Sequence, residues 1–506
     1  MQVLGNSQIT NHMKLRILQC AILISAMVYS LSSSAQECQD NWLSVEGNKI
    51  VDINGNEVIL AGVNWFGLET QNGFPHGIWA RDLESVLQQC KDLGFNCFRI
   101  PWSNDNLFGN KVISQGSYGT DPISGVSPMN VAVSKVDTPI EVLDILVEWC
   151  QENDMKIILD NHTREQDQYL EEKLWFTPEV STEQWIADWV SLATRYKDYS
   201  AVIGMDLNNE PNGTIDNAEG AKWGSGDEFD WRLAAEDCGN AILEVNPNVL
   251  ILVEGIEAYT KPNGTETSYW WGGNLQGARD YPVRLNDPSK LVYSPHEYGP
   301  TVFAQDWFTA SDFPENMTGI WEEQFNFLNS SGTAPLLIGE LGIKGEGGLD
   351  EIWFQEFINF IKEQKLHYTF WAFNPNSGDT GGIVSDDWYS VVQWKMDYLK
   401  PILQDPIPNC VVLTDEVLSI EEFNAEVVGF GVYPNPTKGI IEFSATSNNL
   451  KSIEIYDLLG KQVLASSSIS SESLFQFDLA NLSSGVYLGK VTSEKGITIT
   501  VKVVKK

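Results

Sequence analysis

The chain has 506 residues, 42% hydrophobic and 20% charged, a globular balance that excludes a largely disordered protein and leaves room for more than one domain. Its formal charge of −37 argues against nucleic acid or an anionic membrane as partner, because like charges repel, and favours a neutral or weakly charged substrate. The same acidity also suits a surface tuned for solubility.

The first residues read as a targeting signal. From Met13, Lys14 and Arg16 give a basic start, residues 17–29 an apolar stretch and Ser33-Ser34-Ala35 a small-residue site ahead of Gln36, so residues 1–35 are expected to be an export signal. The apolar stretch is too short for a membrane span, and no later stretch reaches the roughly 18 apolar residues that a span needs. Export brings the chain into an oxidising compartment, which opens disulfides to Cys38, Cys90, Cys97, Cys150, Cys238 and Cys410 without revealing the pairing. They are scattered with no CxxC pair, which speaks against a metal cluster, and Cys90 or Cys97 also reads as a buried thiol of a barrel wall.

Eight apolar, strand-like runs follow, at 58–63, 97–100, 156–159, 202–207, 249–253, 290–293, 335–338 and 368–372. Amphipathic stretches at 82–93, 139–151, 182–196, 230–245 and 349–364 fall between them. Eight strands alternating with helices predict an α/β fold, a (β/α)8 TIM barrel over residues 36–405.

All 18 tryptophans lie between Trp42 and Trp394, and the composition changes after Cys410. Residues 406–429, with Asp405-Pro406-Ile407-Pro408 and an acidic stretch, read as a linker. From Phe430 on there are eight lysines against six acidic residues, and short β runs at 440–443, 452–456, 474–479 and 486–491 predict a small all-β, sandwich-like C-terminal domain over residues 430–506.

A carboxylate at the carboxyl end of a parallel strand points into the open mouth of such a barrel. Glu210 follows the run 202–207, in Asn208-Asn209-Glu210-Pro211, and Glu340 follows the run 335–338. Two facing carboxyl groups can cut a glycosidic bond, one protonating the leaving oxygen while the other attacks the anomeric carbon. A single glutamate in such a place is more ordinarily a salt-bridge partner or a helix cap; the surrounding strand ends shift the balance. They bring Arg99, which with Tyr298 can hold an ionised nucleophile, and two of the five histidines, His162 and His296. Two histidines and a glutamate can hold zinc, but no HExxH or comparable spacing occurs, so hydrogen bonds to sugar hydroxyls or carboxylates suit them better. Most tryptophans belong to the core; Trp371 and Trp65 are the ones expected to stack on sugar rings.

These residues, with Gly62-Val63-Asn64-Trp65-Phe66-Gly67, Tyr269-Trp270-Trp271-Gly272-Gly273-Asn274 and Asn374-Pro375-Asn376-Ser377-Gly378-Asp379, resemble glycoside hydrolase family 5, the cellulase family, over roughly residues 41–403. The resemblance implies a retaining endo-β-1,4-glucanase with Glu210 as acid/base and Glu340 as nucleophile. It further implies that Arg99 and Tyr298 hold the nucleophile, that His162, Asn209 and His296 line the subsite of cleavage, and that Trp371 forms its floor. Asn161 departs from the basic residue expected before His162, which touches substrate preference more than catalysis. The tail, with Val432-Tyr433-Pro434-Asn435-Pro436-Thr437 and Leu482-Ser483-Ser484-Gly485-Val486-Tyr487, resembles the sorting domain of the type IX secretion system. A carbohydrate-binding module is the rival there, weakened because the tail has no tryptophan. The implied partners are a β-glucan and the secretion machinery, with no cofactor, a monomeric state and a secreted or cell-surface location. Rivals for the barrel are another β-glycan cleaved by the same groups, or a glucan binder without chemistry.

Overall fold

The computed structural model describes residues 38–113, 130–412, 430–445, 450–457, 461–467, 474–493 and 498–506. The expected export signal and residues 413–429 of the expected linker lie outside them. Two compact units result, the larger running over Gln39–Val411.

Eight parallel strands build the larger unit: β1 (Ala61–Asn64), β2 (Cys97–Ser103), β3 (Lys156–Thr163), β4 (Val202–Asp206), β5 (Leu250–Val253), β6 (Leu291–Tyr293), β7 (Leu337–Leu341) and β8 (His367–Phe370). Their order in the sheet is β6-β5-β4-β3-β2-β1-β8-β7, and parallel bridges from Tyr293 to Leu336 and from His296 to Glu340 bring its two edges together. The result is a TIM-type barrel. Every residue of β2, β3, β4 and β7 is buried, which is why these strands read as near-continuous apolar runs rather than as alternating ones. Gly204 lies in this close packing, where an added Cβ would meet Leu252 Cδ1 at 2.8 Å and push that side chain aside.

Helices between the strands pack apolar stripes outside the barrel. In α1 (Leu83–Asp92) the buried residues are Leu83, Val86, Leu87 and Cys90, one face of a helical period, and the Asp82 side chain caps its start by accepting from Glu84 N. α2 (Pro139–Glu152) starts with proline at its first turn, and the Glu141 carboxylate accepts the backbone N–H of Thr138 at 3.0 Å. Thr182–Arg195, Trp231–Val245 and Gly348–Gln364 are α3, α4 and α5, matching the expected amphipathic stretches. Between β5 and β6 the chain instead forms a short hairpin, Ala258–Thr260 with Glu266–Ser268, and a 3-10 turn, Gln276–Arg279.

The run expected at 58–63 splits. Glu57–Val58 joins Ser44–Glu46 and Lys49–Val51 in a small antiparallel sheet, and β1 starts only at Ala61. Leu43 and Ile50 of this region pack with Cys97, Ile203 and Leu337 of the barrel strands and with Ile407, a residue placed in the linker by composition but 3% exposed. Two buried lysines fasten the same region: Lys156 Nζ lies 3.2 Å from the Asn41 carbonyl and Lys290 Nζ 3.0 Å from that of Leu43. Cys38 and Cys410 are disulfide-bonded, whereas Cys90, Cys97, Cys150 and Cys238 are free and buried.

Among its described residues the C-terminal unit holds seven strands, β9 (Phe430–Tyr433), β10 (Ile440–Ala445), β11 (Leu450–Tyr456), β12 (Gln462–Ser467), β13 (Leu474–Asp478), β14 (Gly485–Ser493) and β15 (Thr498–Lys505). They form antiparallel sheets of three strands, β9-β10-β13, and four, β12-β11-β14-β15. Ile441, Phe443, Phe475 and Phe477 from one sheet and Ile453, Ile455, Tyr487 and Val503 from the other make a shared core, the layout of a sandwich.

Candidate active site

Arg99, at the third position of β2, is fully buried and organises the carboxyl end of the barrel. Its Nε donates to Asp206 Oδ2 at 2.9 Å and its Nη1 to Glu340 Oε1 at 2.8 Å, while Nη2 lies 3.1 Å from both Glu254 Oε1 and Asp160 Oδ1. Asn64 Oδ1 and Asn209 Oδ1 accept from the same guanidinium at 3.2 and 3.0 Å. One planar cation thus answers four acidic side chains, a task for which a guanidinium fork is shaped and an ammonium is not. Burial alone would disfavour its charge; the surrounding Asp160, Asp206, Glu340 and Glu254 raise its pKa well above the ordinary value.

Glu340 sits in β7 and is 4% exposed. Its second oxygen accepts from the Tyr298 hydroxyl at 2.6 Å. Burial by itself would raise its pKa, but His296, Arg99, His162 and the Tyr298 hydrogen bond outweigh that and hold the carboxylate below its usual range.

Glu210 follows β4 through Leu207, whose carbonyl is held by the indole N–H groups of Trp185 and Trp189 at 3.3 and 3.0 Å. It adopts a left-handed backbone, φ 48°, immediately before Pro211, and keeps a side chain 21% exposed. Its Oε1 is bonded to His296 Nδ1 at 2.9 Å. Burial pushes its pKa up; the His296 hydrogen bond opposes this and the charge of Glu340 adds to it. One oxygen of Glu210, one oxygen of Glu340 and a nitrogen of His296 all lie within 4.8 Å of one another.

The expected neighbours converge here. His162, at the end of β3, is bonded through Nδ1 to Asp160 Oδ2 at 2.7 Å and lies parallel to Trp371, ring centroids 5.4 Å apart and 8° between planes. Burial would lower its pKa, but Asp160 carries it to about 9. Trp371 is half-buried, and its other parallel neighbour is Phe66, at 5.4 Å and 11°. Asn209 and His296 border Arg99 and Glu210 as described.

Trp65 must be corrected. It is 0% exposed, its indole N–H donates to the His76 carbonyl at 2.9 Å and its ring edge packs on Phe373, so no face is open to a sugar. Successive residues leaving a strand point to opposite sides, and it is the next one, Phe66, that meets Trp371.

Asp160, Asp206 and Glu254 were given no role in the sequence reading, although Asp160 stands at one of its strand ends. Glu254 directly follows β5 and carried the same strand-end signal as Glu210 and Glu340, while Asp206 lay hidden inside a run read as apolar. Two sets of ligand-type groups come together among the described residues, Glu210 with His296 and Glu340, and Asp160 with Asp206 and Glu254. The second set surrounds the Arg99 guanidinium, which already supplies the positive charge a metal would bring.

Residues 51–377 match the family described as cellulase, glycosyl hydrolase family 5. The chain belongs to glycosyl hydrolase family 5. An endoglucanase of Paenibacillus polymyxa is 41% identical over 367 residues, covering 71% of this chain and 86% of that protein. Endoglucanase G of Acetivibrio thermocellus is 38% identical over 405 residues, 72% of this chain and 71% of its own. Among solved structures, a hyperthermophilic endocellulase from Pyrococcus horikoshii superposes with a TM-score of 0.64 at 36% identity, covering 72% of this chain and 99% of that one. This family 5 glycoside hydrolase also carries, over residues 431–506, a match to the secretion system C-terminal sorting domain, and it is a secreted or cell-surface protein. Among the described residues no helix is long and apolar enough to cross a membrane.

Proposed function

We propose that the protein is a retaining endo-β-1,4-glucanase that hydrolyses internal bonds of cellulose or related β-glucans, with Glu340 as nucleophile and Glu210 as acid/base. The observation that carries this reading is the convergence of one oxygen of Glu210 and one of Glu340 to within 4.8 Å, so that both carboxyl groups face one sugar-sized site, as a double displacement requires. The names of the relatives, endoglucanases, support the substrate.

In the first step a Glu340 oxygen attacks the anomeric carbon while Glu210 gives its proton to the departing glycosidic oxygen, leaving a glycosyl ester on Glu340. In the second, Glu210 takes a proton from water, the water oxygen bonds to the same carbon and Glu340 departs as a carboxylate. The opposed shifts fit the roles: Glu340 is biased toward the ionised form and Glu210 toward the protonated one. Arg99 and Tyr298 hold the nucleophile, His162, Asn209 and His296 line the cleavage subsite, and Trp371 forms its floor. Residues 36–405 act as the catalytic domain and residues 430–506 as the address read by a type IX secretion machinery, with an export signal at residues 1–35, and the enzyme works as a monomer.

The test is mechanism-based labelling. A 2-deoxy-2-fluoro-β-cellobioside with a 2,4-dinitrophenyl leaving group should add its sugar to the peptide containing Glu340, and the first product released from a natural glucan should keep the β configuration. Label on another residue, or an α product, overturns the reading.

A further inference from the structure

Glu254 is fully buried, so it cannot touch a sugar, yet it reaches the catalytic groups from behind. Its Oε2 accepts the backbone N–H of Glu210 at 2.7 Å. Its Oε1 lies 3.2 Å from Nε2 of His296, an ion-pair contact without the geometry of a hydrogen bond, and the other nitrogen of that ring is bonded to the Glu210 carboxylate at 2.9 Å. One carboxylate therefore meets Glu210 twice, at the main chain directly and at the side chain through an imidazole. The main-chain link matters because Glu210 holds a left-handed φ of 48°, a strained conformation for an L residue that persists only where its surroundings over-determine it. A charged acceptor on the N–H is such a determinant. The space is built for it: Gly272 has a φ of 68°, and a Cβ at that position would come within 2.3 Å of Glu254 Oε2.

We propose that Glu254 is the positioning residue of the acid/base, fixing the main chain of Glu210 and, through His296, the direction of its carboxyl group. The inference rests on the assignment of Glu210 as acid/base and deepens it. Burial would keep His296 neutral, but Glu254 and Glu340 outweigh it and raise its pKa well above the ordinary value, which favours a charged imidazole between the carboxylates of Glu254 and Glu210. Without Glu254 the guanidinium of Arg99 still has Asp160, Asp206 and Glu340, so the nucleophile keeps its clamp while the acid/base loses both of its links.

This asymmetry gives a readout that a general structural role would not move. Glu254→Gln and Glu254→Asp are compared with Glu210→Ala by kcat/KM on cellotetraose, whose leaving group needs a proton, and on 2,4-dinitrophenyl β-cellobioside, whose leaving group does not. Since general acid catalysis is worth about 10²–10⁴-fold, both Glu254 variants should lose about 30-fold or more on cellotetraose and less than about threefold on the aryl glycoside. Azide, which attacks the glycosyl ester without surrendering a proton, should speed turnover of the aryl substrate and yield a β-cellobiosyl azide. Equal losses on the two substrates, or wild-type rates, overturn the proposal, and if Glu254→Gln does not fold, the charge-retaining Glu254→Asp decides by the same comparison. If Glu210→Ala itself shows no leaving-group dependence and no azide rescue, it is the acid/base assignment that fails.

Discussion

The Tyr298 hydroxyl donates to Oε2 of Glu340 at 2.6 Å, on the oxygen opposite to the one held by Arg99 at 2.8 Å. The two donors leave little freedom for the carboxylate to rotate, and one of them removes only a proton donor when changed. Tyr298→Phe should lower kcat by about 10–100-fold, the equivalent of about 1.5–3 kcal/mol for a hydrogen bond to a charged group. Circular dichroism and the melting temperature should stay near those of the parent, and a variant with unchanged kcat would remove Tyr298 from the machinery.

The opposed shifts of the two glutamates set the pH profile. Glu340 lies below and Glu210 above the ordinary 4.5, so the competent form, Glu340 ionised and Glu210 protonated, is the dominant one between them. The kcat/KM profile should be bell-shaped, and Glu210→Ala, assayed on the dinitrophenyl cellobioside, should keep the acid limb and lose the alkaline one. An alkaline limb that persists assigns it to another group.

His162 ties stability to pH. Its pKa is 6.5 ordinarily and about 9 in the folded chain, where Asp160 outweighs burial, so the fold binds a proton that the unfolded chain releases. The stabilisation is complete below pH 6.5 and fades as the pH rises to about 9. Lys156, brought down to about 7 by burial, acts in the opposite sense over the alkaline range, so the comparison with a variant isolates the histidine. The melting temperature of the parent should fall more steeply across this window than that of His162→Gln; parallel curves would contradict the assignment.

Trp371 and Trp65 should separate cleanly under substitution. Trp371, half-buried, is the proposed sugar platform, and Trp371→Ala should reduce kcat/KM on cello-oligosaccharides by about tenfold, in line with ~1–1.5 kcal/mol for an aromatic contact, with a small change in stability. Trp65→Ala empties a buried site and should cost about 3–5 kcal/mol of stability, read in denaturant titrations.

The catalytic unit should work without the tail. Among the described residues, the apolar cluster of the sandwich draws on residues from Val432 to Val503, and those of the barrel on residues from Trp42 to Ile407. A chain ending after Val412, which keeps Cys410, should show unchanged kcat/KM on soluble glucan while failing to leave the cell in its native host. Loss of hydrolysis in the purified fragment would refute this division.

The barrel was legible because its strands are buried on both faces and so write themselves as short apolar runs, as 97–100, 156–159 and 202–207 do. Strands of the small sandwich such as β12 and β15 were not, since Gln, Ser, Thr and Lys interrupt their apolar residues. Glu210 and Glu340 stood out because a charge ending an apolar run is conspicuous. Glu254 ends one equally, but its role depends on a second layer of contacts, with His296 and Arg99, that spacing along the chain does not encode. Trp65 misled for the converse reason: position at a strand end says that a ring is near the mouth and not toward which side it turns.

The ring of carboxylates around Arg99 divides the enzyme into a part that is costly to change and a part that is free to drift. Swapping the guanidinium for an ammonium, which lacks the planar fork, would leave several buried carboxylates without their hydrogen bonds at once. Adaptation to a differently branched or linked glycan must therefore proceed through the surface loops, such as the hairpin after β5, while the inner chemistry is inherited whole.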